Sequence, residues 1–230
     1  MNSPARILAP AAFSSALDEF AKRMEGQYVF EYGPATGVSS TSITSRIEQG
    51  DSADFVILPM ALAHKAIVAG HLKGVAVPIF ASTVAFCVSE ASQSPDLSSD
   101  ENLWQALLKA SSIGISAAGS GRFFRDELLP KLLRKGGSVD KVVEFSDRSV
   151  GAAVAEGLVD IGFQQKAELL DVQGIKIIDK LTDLARNDTW LTLVAVPHSQ
   201  TSISLNSLAD EICSVLSSSI LRAHGLTPIC

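Results

Sequence analysis

The stretch Ser112-Ile-Gly-Ile-Ser-Ala-Ala-Gly-Ser-Gly-Arg-Phe-Phe-Arg-Asp-Glu-Leu-Leu-Pro-Lys-Leu-Leu133 decides the fold. It reads as a short buried strand over 113–116, a turn of small residues over 117–121, and then a helix. Phe124, Leu128 and Leu132 recur every four residues and give that helix one apolar face. Ser120 is the predicted N-cap, since its hydroxyl can accept from an amide two or three residues on. Gly119 and Gly121 let the backbone bend tightly and let a ligand approach the main chain. A helix start with free N–H groups suits an anion, and Arg122 adds a positive charge beside it. The turn therefore reads in two ways: as a seat for a carboxylate or oxyanion, with Ser116, Ser120, Gly121 and Arg122 around it, or as an ordinary strand-to-helix connection.

Working outward, the same alternation recurs. Strands are predicted over 6–10, 28–32 and 54–59, each followed by a helix: one capped by Ser14 or Ser15, one over 42–49 and one over 61–69. The first helix buries Leu17, Phe20, Ala21 and Met24. The loop over 33–41 is rich in small and hydroxyl residues. A β-rich run over 75–88, broken at Ala81-Ser82-Thr83, is long enough to cross between two lobes. A helix over 103–110 precedes the opening stretch. Strands over 141–145, 160–164, 175–178 and 191–196 follow it, with helices over 149–157, 166–170 and 205–221.

Strand and helix in alternation mean βαβ units and mostly parallel sheets. The fold class is α/β in two lobes: 1–81 with 191–230, and 82–190, each a mixed, mostly parallel sheet flanked by helices. Ligands of such sheets sit at the carboxyl ends of the strands, and a cleft between lobes is the expected place.

Composition narrows the function. In 230 residues, 47% are hydrophobic and 19% charged, so a sizeable core is expected and disorder is not. A net charge of −6 argues against a nucleic-acid partner, which usually meets a basic face. Three cysteines, Cys87, Cys213 and Cys230, are far apart, and their spacing indicates neither a zinc site nor a disulfide framework. Cys87 reads as a buried thiol. The four histidines, His64, His71, His198 and His224, have no metal-ligand spacing, and no cofactor signature is present; no metal or cofactor is expected. No run is long enough to span a membrane and no secretory leader is visible. The chain as written is expected in the cytoplasm, or in the periplasm if a leader has been removed.

Three segments carry a resemblance: Ile7-Leu-Ala-Pro-Ala-Ala-Phe-Ser-Ser-Ala-Leu17, Arg46-Ile-Glu-Gln-Gly-Asp-Ser-Ala-Asp-Phe-Val-Ile57, and Ala153-Val-Ala-Glu-Gly-Leu-Val-Asp-Ile-Gly-Phe-Gln-Gln165. They resemble the type 2 periplasmic-binding-protein fold and, within it, the molybdate-binding-protein-like family. The resemblance places ligand contacts at Ala12, at the hydroxyl loop Ser39-Ser40-Thr41, and at Gln165. Where molybdate binders carry a serine and a tyrosine, this chain has Ala12 and Gln165. Ile161-Gly-Phe-Gln-Gln165 followed by Glu168-Leu-Leu170 is similar to the branch that includes aconitate isomerase.

What the resemblance implies is an isomerase that shifts a double bond in a small polycarboxylate, its proton-carrying residue unassigned. The alternative is a solute-binding protein that hands a small oxyanion or carboxylate to an ABC permease; a cytoplasmic sensor lobe is a third reading. Arg148 and Ser149, before a predicted helix, can grip a second carboxylate or simply face water. Glu31 and Tyr32 can act as acid or base, or form a sheet-end pair in water.

Overall fold

The structure is a computed structural model that describes residues 3–37, 39–117, 119–199 and 201–229. In chain order it begins with β1 (Ala5–Pro10), a 3-10 turn (Ala11–Phe13), α1 (Ser14–Arg23), β2 (Tyr28–Gly33), α2 (Ile43–Glu48), β3 (Phe55–Pro59), α3 (Met60–Val68) and β4 (Lys73–Ser89). Next come α4 (Asp100–Lys109), β5 (Ile113–Ser116), α5 (Gly119–Phe123), a π turn (Phe124–Leu128), α6 (Leu129–Arg134) and β6 (Val142–Phe145). The rest comprises α7 (Val150–Ala155), β7 (Ile161–Gln165), α8 (Lys166–Leu169), β8 (Ile175–Ile178), β9 (Asp188–Ala195), α9 (Leu205–Val215), α10 (Ser218–Ala223) and β10 (Leu226–Pro228). The chain divides into two compact units, residues up to Ser82 with those from Thr189 on, and Thr83–Asp188.

In the first unit β1 lies between β2 and β3, parallel to both. β9 closes the other side of β3 antiparallel, Phe55 opposite Ala195 and Pro59 opposite Leu191. One face of this sheet packs Leu8, Val56, Leu58 and Val194 against Ile43 and Ile47 of α2 and Ala63 of α3. In the second unit β5 lies between β6 and β7, parallel to both, and β7 pairs antiparallel with the later half of β4. One face packs Phe86, Ile113, Ile115 and Phe163 against Leu103 and Leu107 of α4, Phe124, Leu128 and Leu132. The other packs Ala85 and Cys87 against Ala153 and Val154 of α7 and Leu169 of α8. Apolar burial on both faces explains why these strands read as near-continuous hydrophobic runs.

Four expectations are corrected. α1 is not capped by Ser14 or Ser15: the chain enters it through the 3-10 turn, and no side chain caps it. β4 is not broken at 81–83 but runs 17 residues, pairing with β10 through Phe80–Ser82 and with β7 and β8 through Val84–Ser89. Small side chains there read as a break, yet Ala81 and Ser82 are buried within a continuous strand. The single closing helix is two, α9 and α10, with β10 after them. The spacing of Cys213 pointed away from a disulfide, but Cys213 is disulfide-bonded; spacing cannot report a contact made by tertiary folding.

Candidate functional site

The parallel strands of the second unit all leave its sheet at one edge. β5 ends at Ser116, β6 at Phe145 and β7 at Gln165, so residues 116–117 and 119–122 gather there with the segments 145–150 and 164–168. Gly114 is in register with Gly162 and Ile115 with Phe163; one step further puts Ser116 alongside Gln164.

Alternation assigns the faces. A Cβ on Gly114 or Gly162 would meet Val150 of α7, so Ser116 and Gln164, two residues on in each strand, share the face that α7 covers. Gln165 shares the face of Phe163, whose ring lies 4.7 Å from that of Phe86. It is half-buried and occupies the N-cap position of α8.

The turn after β5 differs from its sequence reading at one point. Ser120 does not cap α5; it lies in the first turn, 2% exposed, with its Oγ 3.0 Å from the Oγ of Ser116. The helix begins two residues earlier, at Gly119, which brings Gly121 onto the Ser116 carbonyl, where no residue with a Cβ could approach so closely. Arg122 is exposed and makes no hydrogen bond or ion pair among the described residues. Arg148 is also exposed, but its Nη1 is held by Glu156 Oε2 at 2.6 Å. Ser149 caps α7, its Oγ accepting from Ala152 N at 3.1 Å.

Two residues not singled out as contacts complete this edge. Gln164 is 3% exposed and its Oε1 accepts from the amides of Val150 and Gly151, at 2.9 and 3.2 Å. Glu168, on the first turn of α8, is hydrogen-bonded to the Gln164 side chain, and burial pushes its carboxyl above the usual carboxylate range. The available signal was the Gln164-x-x-x-Glu168 spacing, which lets a strand-end amide reach a carboxylate one helical turn on.

In the first unit, Ala12 sits half-buried in the 3-10 turn after β1. Ser39, Ser40 and Thr41 are exposed before α2; Ser39 Oγ and Thr41 Oγ1 are 2.8 Å apart. The cap of α2 is the next residue, Ser42, fully buried, accepting from Ser45 N and donating to the Gly37 carbonyl. Glu31 is not open for acid–base work. Arg6 Nε donates to its Oε1 at 2.9 Å and Arg46 Nη2 to its Oε2 at 2.5 Å, and the Arg46 bond above all holds its carboxyl below the usual range. Tyr32 donates to Asp18 Oδ1 at 2.7 Å, with its phenol pushed up by burial.

His224 is engaged by Glu19, 2.9 Å away. Among the described residues no group of three or more His, Cys, Asp or Glu side chains is arranged to hold a metal. No helix among them is long and apolar enough to cross a membrane. Cys87 is fully buried, its thiol pushed up to about 12 by burial.

This chain is 28% identical over 197 residues to an aconitate isomerase of Pseudomonas sp., a match covering 85% of this chain and 75% of that protein. It resembles a substrate binding domain assigned to a molybdenum ABC transporter from Clostridium difficile, with a TM-score of 0.71 at 20% identity over 99% of both chains. It also resembles the periplasmic molybdate-binding protein of Azotobacter vinelandii, with a TM-score of 0.64 at 16% identity over 98% of this chain and 100% of the other. These two likenesses establish the fold, that of type 2 periplasmic-binding proteins. A family match over residues 5–227 goes further: the chain belongs to the family of bacterial extracellular solute-binding proteins.

Proposed function

We propose that this protein is an isomerase that moves a double bond within a small polycarboxylate, as its aconitate isomerase relative does. The observation that carries the reading is that this relative matches over 85% of the chain, not over one motif. The chemistry removes a proton beside a carboxylate-bearing alkene and returns one at the far carbon, so the site needs clamps for anionic groups and a proton carrier. Arg122 supports this reading as a clamp: exposed, without a partner among the described residues, and placed beside the small-residue turn after β5. Ser116, Ser120, Gly121, Ser149 and Gln165 gather at the same edge; Ala12 and Ser39 to Thr41 serve the first unit, and Arg148 is a weaker candidate because Glu156 already holds it.

The family match supports a second reading, a binding protein that passes a small carboxylate or oxyanion to an ABC permease. Either role fits a place outside the cytoplasm, and the disulfide of Cys213 favours an oxidising compartment such as the periplasm. Proton NMR of cis- and trans-aconitate with the protein in deuterated buffer separates the two. The isomerase interconverts them and exchanges carbon-bound protons; a binding protein does neither while still giving heat on titration.

A further inference from the structure

Glu168 and Gln164 form a pair whose geometry goes beyond structural support. Gln164 has its carbonyl oxygen fixed by two donors, Val150 N and Gly151 N. Its NH2 group must therefore turn the other way, and there it meets the Glu168 carboxylate. The amide thus works as a rigid bracket between the start of α7 and the first turn of α8. Beside it lies Ser116, one register step beyond the Gly114–Gly162 pair, with its hydroxyl 3.0 Å from that of Ser120.

The carboxylate is half-buried and has no ion-pair partner among the described residues. The cations near it in sequence are used elsewhere. Lys166 Nζ is 2.7 Å from Asp179 Oδ2, Arg148 is held by Glu156, and Lys176 donates to the Ser92 carbonyl. α7 reads Val-Gly-Ala-Ala-Val-Ala and contributes no ionisable group, and Asp171, after α8, is exposed. A half-buried, unpaired carboxylate is costly to hold and adds nothing to the grip on an anion. The same placement suits proton transfer, because a desolvated carboxylate is a stronger base than one in water.

Resting on the isomerase reading above, we infer that Glu168 is the residue that carries the proton, with Gln164 as its positioning residue. Its carboxylate takes a proton from the methylene carbon of the substrate: the C–H bond breaks and an O–H bond forms. The electron pair left behind spreads over the three allylic carbons and their carboxylates. The resulting Glu168 acid returns the proton to the far carbon, the double bond has moved, and the carboxylate is regenerated with no co-reactant.

The test uses the full chain with cis- and trans-aconitate in deuterated buffer, with calorimetry of the same ligands. Glu168→Gln is expected to lower kcat by about 100-fold or more, the scale of a lost general base, while binding stays within about threefold. Glu168→Asp should recover part of the rate. Gln164→Met should move the acid limb of the kcat/KM profile to higher pH, because the amide bond that favours the charged form is gone. A merely structural role would move stability but not that limb. If Glu168→Gln does not fold, the wild-type profile decides: an acid limb above the ordinary Glu range supports the assignment, and a flat profile through it overturns it. A Glu168→Gln protein that turns over at the wild-type rate removes Glu168 and leaves the isomerase reading standing. A wild type that binds aconitate but neither isomerises it nor exchanges its protons overturns the isomerase reading itself, and this assignment with it.

Discussion

Gly121 lies against the backbone of Ser116 so closely that a Cβ built on it would stand 1.6 Å from the Ser116 carbonyl oxygen. The return of α5 onto the end of β5 depends on this contact. Gly121→Ala is expected to destabilise the fold by about 3 kcal/mol, the upper range for overpacking, because backbone cannot step aside as a side chain can. Gly119→Ala, two residues earlier with nothing within 4 Å of its Cβ, should be neutral or slightly stabilising. Urea denaturation of both variants checks the contrast.

Arg122 and Arg148 separate by their partners. Arg122→Ala should leave the melting temperature unchanged and weaken aconitate binding by about 2 kcal/mol, the scale of a charge-assisted bond left unmade. Arg122→Lys should recover only part, since an ammonium cannot grip a carboxylate with two parallel bonds. Arg148→Ala should bind within about threefold of wild type, because that guanidinium is held by Glu156. Calorimetry on the three variants settles the ranking.

Arg46 ties Glu31 to Asp51, at 2.5 and 2.7 Å. Arg46→Met is expected to destabilise the first unit by about 1 kcal/mol at neutral pH, a modest figure because the pair is partly exposed. The folded carboxyl of Glu31 is held low, so its contribution is complete above the ordinary Glu value and is lost as pH falls through the folded value. The gap between variant and wild type should therefore narrow in acid. Denaturation at neutral pH and near pH 4 measures it.

For Glu168 the sign reverses. Its folded carboxyl is raised, so the folded protein holds the proton more tightly, and ionisation lowers stability as pH rises from the ordinary Glu value through the raised one. Gln resembles the protonated form. Glu168→Gln should thus gain about 1 kcal/mol at pH 8, the usual scale when a functional strain is relieved, and show no gain near pH 4. Paired melts at the two pH values test it.

Molybdate should bind weakly. Ala12 presents a methyl group where the family resemblance places a donor hydroxyl, and each such bond to a charged ligand is worth about 1.5–3 kcal/mol. Calorimetry at micromolar protein is expected to show no molybdate heat.

The strands and the apolar helix faces were legible in the sequence because they rest on local periodicity. Ile113 and Ile115, and Phe124, Leu128 and Leu132, are all fully buried as their spacing implied. The π turn over Phe124–Leu128 was not legible: it accommodates Pro130, which lacks the N–H that a regular helix needs, without disturbing the apolar face. Capping escaped the reading at Ser149, although its hydroxyl directly precedes α7. It was misread at Ser120, where the tertiary contact of Gly121 with Ser116 shifts the helix start. The bracket of Gln164 was hidden for the same reason: which of two adjacent glutamines meets α7 depends on where α7 docks, fourteen residues of chain away.

β9 has a further consequence for how the chain comes into being. β3, five apolar residues long, has β1 on one side and can gain its other neighbour only from residues 191–195. On the ribosome the whole of Thr83–Asp188 emerges before that segment does. The later-born unit can therefore close first, while the earlier-born one waits with a bare hydrophobic strand edge, the feature that invites aggregation. The need for chaperone protection during synthesis falls on the amino-terminal eighty or so residues, although in the finished molecule Phe55 to Leu58 of that strand are buried.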